Sequence, residues 1–307
     1  MRKFLIGLLV ALTWILIPII FYLAGIKMTL LTPDFYKEEL IESNFYPDST
    51  DLIIESIIPN TEGVEIDEIE MKNALAKEIT PQWLQIQTEG MIDTVFWLLQ
   101  TNAQISEIEL VIDFQGPHNA FFSDTTQLLN PVPEKIHGLA LLSMLASDES
   151  LNLEMLAEKP DISGNEKLKN WQKTLETIQT LYVWVSIILI GSIVLAAVLI
   201  LASLLLVKKN LISIFKLLGN TFLVPGIIGV VSLITQKVIY GFYKDDIFSG
   251  QMSNIMAGTD LFSNLVNSMV QRFINLMLWP FGICLAIGVI LLVTAFLIKK
   301  YNKVSNQ

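Results

Sequence analysis

Cysteine is almost absent from this chain. The one copy, Cys284, lies inside an apolar run, so no intrachain disulfide can form and any exported part must be held together by packing. No Asn-x-Ser/Thr sequon occurs, which excludes ordinary N-glycosylation. Both absences fit a bacterial envelope protein. Acid is missing from long stretches: all 30 Asp and Glu fall within Asp34–Glu176 and Asp245–Asp260. None of the long apolar runs contains Asp, Glu or His, so the usual carriers of proton and sodium relays are missing there. No nucleotide-binding loop, catalytic triad or zinc signature is present.

What the chain has in abundance is uninterrupted apolar sequence. Leu181–Val207 is 27 residues without a charge, and 18 of them are Leu, Ile or Val. As a helix it reaches about 40 Å, against a hydrocarbon core of about 30 Å. Each such residue near the centre favours insertion by about 0.3–0.6 kcal/mol, so the segment reads as a membrane span. Three further runs of this kind give four spans.

Charge then sets the topology. Residues 28–178 carry 27 acids against 8 lysines, a net of −19. The N-terminus, the turn after Val207 and the C-terminal tail carry Arg2, Lys3, Lys208, Lys209, Lys216, Lys299, Lys300 and Lys303 with no acid. The positive-inside rule therefore expects both termini in the cytoplasm and the acidic segment outside the cell membrane. Residues 1–27 form the first span; their 23-residue apolar run exceeds a signal-peptide core and no A-x-A-like site follows, so the span is expected to stay uncleaved. Pro18 is expected to kink it.

Residues 28–165 form the acidic extracytoplasmic domain, and 166–207 a stalk helix that continues into the second span. A cytoplasmic turn over 208–216 enters span three, 211–237. An outer loop covers 238–259, a second stalk helix continuing into span four covers 260–298, and 299–307 is a cytoplasmic tail. The expected fold is mostly α: a four-helix transmembrane bundle with a mainly helical domain inserted between spans one and two.

Within the exported domain, Thr32-Pro33-Asp34 and Thr80-Pro81 are helix starts, a capping hydroxyl followed by proline at the first helical position. Asp48 is expected to cap a helix between them. The helix from Thr80 is given an inner stripe of Trp83, Ile86, Gln87, Gly90, Met91, Val95 and Leu98. Glu107–Phe114 (EIELVIDF) alternates like a half-buried strand, its partner sought within 118–132, and helices are expected near Glu134–Ala146 and Ser150–Ala157.

The segments TPDFYKEEL (Thr32–Leu40) and ITPQWLQIQTEGMIDTVFWLL (Ile79–Leu99), set in this layout, resemble a group of bacterial four-span membrane proteins of no assigned activity, with one large extracytoplasmic domain after the first span. The resemblance implies that plan and brings no chemistry with it.

Each candidate site has a bland reading beside it. Glu134 and His137 have the spacing of one helical carboxylate–histidine metal motif, but a second copy is missing, so His137 is expected to be a surface or capping residue. The run Glu62–Glu70 lacks the spaced ligands of a calcium loop and reads as a solvated surface that divalent cations screen weakly. Lys237 and Arg272 lie near the outer ends of spans three and four, where they are expected to snorkel. Ser192 with Ala196, Gly282 with Ala286, and Pro225 with Gly229, four residues apart, are expected span-packing positions, together with Gly226. Leu168, Trp171, Leu175 and Ile178 on one stalk helix are expected to dock on Phe262, Leu265, Met269 and Phe273 of the other, because exposed stripes of that size would be costly.

The expected function is that of an interaction or accessory subunit, with no catalysis, metal or cofactor. Its partners would be the lipid bilayer and an envelope protein or ligand, or a second copy of the chain; the acidity repels nucleic acid. The competing expectation is a small-solute or ion channel or transporter using the Pro225-Gly226 break in span three.

Overall fold

A computed structural model describes residues 1–57, 68–104, 107, 111–113, 135–137, 166–207, 210–249 and 259–305. In chain order the helices are α1 (Arg2–Met28), α2 (Pro33–Glu42), α3 (Phe45–Ile57), α4 (Glu68–Glu78), α5 (Pro81–Thr101), α6 (Glu166–Leu206), α7 (Leu211–Ser249) and α8 (Thr259–Ser305). Two short strands, β1 (Val111–Asp113) and β2 (Lys135–His137), stand between α5 and α6. The fold is therefore mostly α, and α1, α6, α7 and α8 are each long and apolar enough to cross a membrane.

The chain divides into two compact units. The first comprises Met1–Leu31, Trp184–Asn254 and Val266–Gln307. It holds α1, the C-terminal part of α6, α7 and most of α8. Its centre is Phe281, fully buried with Leu233, Ile274 and Met277. Phe21 of α1 meets the Phe281 ring edge-on at 5.1 Å, and Tyr22 lies tilted at 5.6 Å. The Trp14 indole donates to the Asn220 carbonyl at 3.0 Å, and the Arg2 guanidinium to that of Leu206.

Helices α7 and α8 pack so closely that two glycines are required. A Cβ added to Gly226 would stand 2.6 Å from the Leu285 nitrogen, and one on Gly288 would stand 2.5 Å from that of Leu223. Close approach of backbones is the ordinary use of small residues between spans. Prolines at 18, 225 and 280 lie inside helices assigned without a break.

The second unit comprises Thr32–Val183 and Ile255–Leu265. Within it Ile54, Leu75 and Ile79 are buried together, with Ile53 and Trp83 packed around them, and Phe35, Leu40, Tyr46, Phe96 and Leu98 are buried as well. The Thr80-Pro81 start is formed as expected, the Trp83 amide donating to Thr80 Oγ1 at 3.1 Å. Asn102 ends α5 in the left-handed region (φ 57°), a conformation asparagine tolerates at a helix end. Asn44, also left-handed, turns the chain from α2 into α3.

Several local expectations are corrected. Helix α3 begins at Phe45, so Asp48 lies in its first turn and does not cap it. The partner of the alternating segment is β2, antiparallel to β1 with Ile112 opposite Ile136, where a helix from Glu134 was expected. A three-residue pairing formed across this separation leaves no local signature, whereas Pro133-Glu134 resembles a helix start. Helix α7 continues to Ser249, through half of the stretch read as an outer loop. Helix α8 extends past Ile298 to Ser305. The acidic loop before α4 and the expected helix Ser150–Ala157 lie outside the described residues.

Gly226→Ala should lower stability by about 1–3 kcal/mol, because α7 and α8 must separate to admit the methyl group. Gly191→Ala, where an added Cβ meets nothing within 4 Å, should cost nothing comparable. Thermal unfolding of the two purified variants in detergent compares them directly.

Candidate functional site

Helix α5 carries the candidate surface, and its surroundings hold it from two sides. On one side Tyr36 of α2 meets Phe96 with ring centroids 5.5 Å apart, and the Lys37 ammonium pairs with Asp93 at 2.6 Å. On another side Leu98 is buried beside Gln179 of α6. Phe96 and Leu98 point to nearly opposite faces of the helix, so the buried positions do not form one periodic stripe. That is why the expected inner stripe fails in part: Ile86 and Val95 are exposed.

The face left open follows the spacing of a single helical side: Ile86, Gly90, Asp93 and Trp97. Ile86 is 62% and Trp97 45% exposed, and an added Cβ at Gly90 would meet nothing within 4 Å. Ile86 and Trp97 thus stand eleven residues apart on one side of a helix that is fixed by an ion pair and an aromatic contact, with Gly90 and Asp93 between them.

Gln179 is the fixing element that sequence reading missed. It is 3% exposed and donates through its amide nitrogen to the carbonyls of Leu98 and Ala103, both at 2.9 Å. Leu98 belongs to the last turn of α5, whose carbonyls have no partner within their own helix. One side-chain amide therefore closes the end of α5. The available signal was weak, one glutamine beside Ile178 in the otherwise polar stretch Glu176–Thr180.

Tyr46 is buried in the same unit, and its hydroxyl has no hydrogen-bond partner among the described residues. Burial, reinforced by the Glu89 carboxylate, pushes its pKa from 10.0 up to about 12. Burial also raises that of Tyr36.

In the bundle, a polar row joins α1 to α7. Tyr22 Oη and Ser232 Oγ lie 3.3 Å apart, and Gln236 donates to both, at 3.2 and 3.4 Å respectively. The Pro225-Gly226 break is filled: Pro225 is fully buried, Gly226 abuts Leu285, and Phe281 covers Gly229. Cys284 is buried and donates to the Phe222 carbonyl at 3.2 Å.

The remaining predicted positions separate into several groups. Ser192 and Ala196 are buried; Gly282 has open space beside it and Ala286 is exposed. Of the stalk residues, Trp171 is 46% and Ile178 41% exposed, Leu175 and Met269 are half-buried, and Leu265 is buried. Phe273 packs against the Phe281 cluster. The side chains of Leu168 and Phe262 lie outside those described. His137 sits in a strand, so no helical carboxylate–histidine pair exists there, and Glu134 lies outside the described residues. Among the described residues no three His, Cys, Asp or Glu side chains gather as a metal site.

The four long apolar helices define a multi-pass helical membrane protein. No family model, curated protein or solved structure matches the chain.

Gln179→Leu keeps the volume and removes both donors, so it should destabilise the protein by about 1–3 kcal/mol for each carbonyl left buried. Thermal unfolding of the full chain in detergent measures the loss. Tyr46→Phe should act in the opposite direction, stabilising by about 1 kcal/mol at neutral pH because a buried hydroxyl is removed. The unfolded chain releases the Tyr46 proton near pH 10 and the folded chain only near 12, so stability falls as pH rises across that window. Denaturant titrations at pH 9 and 11.5 should show a smaller fall for Tyr46→Phe.

Proposed function

We propose that this is a cell-membrane protein with both termini in the cytoplasm, whose acidic helical domain lies outside and binds or scaffolds an envelope protein without catalysis. The open face of α5, Ile86 and Trp97 around Asp93, is the observation that carries this reading. The charge partition supports the orientation. A net of −19 over residues 28–178 also selects the partner, favouring one with a basic surface. Trp171 and Ile178, exposed on α6, offer a second apolar surface to such a partner.

The proposed stalk, with the N-terminal part of α6 docked on that of α8 through the half-buried Leu175 and not through Trp171 and Ile178, would transmit partner binding towards the spans. In this reading the spans serve as an anchor. The competing use of the Pro225-Gly226 break as a solute path is disfavoured, because Leu285 and Phe281 occupy the space beside it.

Two measurements test the proposal. Single cysteines at Asn73 and Asn302, both exposed, are placed in a Cys284→Ala background. A membrane-impermeant thiol reagent on intact cells should label the first and not the second; the reverse pattern would sink the orientation. Photo-crosslinkers at Ile86 and Trp97 should capture one and the same envelope protein, and Ile86→Asp with Trp97→Ala should abolish its co-purification while leaving the melting temperature unchanged. Capture that survives the double change would reject α5 as the binding face.

A further inference from the structure

Near the C-terminal end of α8 lies a shallow cleft of about 510 Å³, lined by Leu297, Ile298, Lys300 and Tyr301. Leu297, Lys300 and Tyr301 follow the three- and four-residue spacing of one helix side. The lining is of two kinds, and the sequence puts the change at a definite depth. Phe273–Ile298 is 26 residues without a charge, which as a helix reach about 39 Å against a hydrocarbon core of about 30 Å. Leu297 and Ile298 close that run, while Lys300 and Tyr301 lie just past it. The apolar half of the cleft therefore stands at the level of the acyl chains and the polar half at that of the headgroups. Tyr301 is 76% and Leu297 57% exposed, so neither is taken up by the chain's own packing. Lys300 is exposed as well and forms no ion pair among the described residues. No Asp or Glu follows Asp260 in the sequence, so this end of α8 carries no counter-charge of its own.

We propose that this cleft binds the headgroup end of one anionic phospholipid, its phosphate on the Lys300 ammonium and the Tyr301 hydroxyl and the start of an acyl chain along Leu297 and Ile298. Both polar groups donate hydrogen bonds, and the ammonium has three donors to offer a phosphate. The stem of a lysine at a membrane boundary lies along apolar surface while its charge stays among the headgroups, which is the division seen in the lining. The single cation selects the headgroup. It attracts a lipid of net negative charge, whereas a choline group would bring a second cation beside it. A soluble acidic segment is a poorer occupant, because half of the cleft lies at the depth of the hydrocarbon. So is a second copy of the chain: two-fold pairing of copies inserted in the same direction through this cleft would set Lys300 against its own counterpart at the same depth. The proposal needs only that α8 crosses the membrane, and it is independent of the orientation and of what the α5 face binds.

The test is native mass spectrometry of the full chain in detergent, titrated with phosphatidylglycerol and with phosphatidylcholine of the same acyl chains. The first lipid bound to the wild type should show a preference for phosphatidylglycerol of about fivefold, the effect of one interfacial cation. Lys300→Gln should remove that preference. Lys299→Gln deletes the same charge one residue away, two positions from Leu297 and so on another side of the helix, and should leave it intact. Leu297→Asn, at an exposed position, should weaken both lipids alike. Glycerol phosphate, which has the anion without the chains, should not displace the bound lipid. The proposal is overturned if Lys299→Gln and Lys300→Gln reduce the preference equally, since the attraction is then diffuse, or if Leu297→Asn leaves lipid binding unchanged. It is equally overturned if glycerol phosphate displaces the lipid, or if the wild type is a dimer that Leu297→Asn converts to monomers, the cleft then being covered by a second copy.

Discussion

Phe281 sits on the bare backbone of Gly229, with the edge of Phe21 against its ring, and three helices meet at that point. Apolar side chains gain nothing by leaving one hydrocarbon surface for another inside a membrane, so spans are held by fit and by polar contacts. The fit here is made twice: by a large ring on a glycine, and by Gly226 and Gly288 admitting the opposite backbone. The described polar contacts include Trp14 to Asn220 and the Tyr22–Ser232–Gln236 row. Together they place α1 beside α7 and α7 beside α8.

In the second unit Ile54, Leu75 and Ile79 form a buried cluster, and the described contacts around α5 are polar and aromatic as much as aliphatic. With one cysteine in the whole chain, no crosslink stiffens it. Gln179 closes the end of α5 by donating to the carbonyls of Leu98 and Ala103.

Much of this was legible in the sequence. The four long helices follow from apolar runs such as Leu181–Val207, which no soluble fold requires. The starts at Thr32-Pro33 and Thr80-Pro81 follow from local capping chemistry. What could not be read depends on neighbours distant in the chain. Ile86 and Val95 suit an inner stripe by spacing, yet clamping α5 from two sides turns both outward. The pairing of β1 with β2 joins residues more than twenty positions apart, and Lys135–His137 alone carries no strand pattern. Gly226 and Gly282 look alike in sequence, each a small residue in a span, but one meets Leu285 and the other meets open space. Gln179 stands among Glu176, Thr177 and Thr180, and nothing nearby indicates that its acceptors lie 76 and 81 residues upstream.

That separation has a consequence for biogenesis. Chains are made from the N-terminus, so α5 is complete well before residue 179 has been added. Until then the carbonyls of Leu98 and Ala103 must be satisfied by water. Closing the intervening loop carries an entropic cost that only the finished contact repays. Completion of the acidic unit is therefore a late event, tied to the arrival of the very helix that re-enters the apolar sequence.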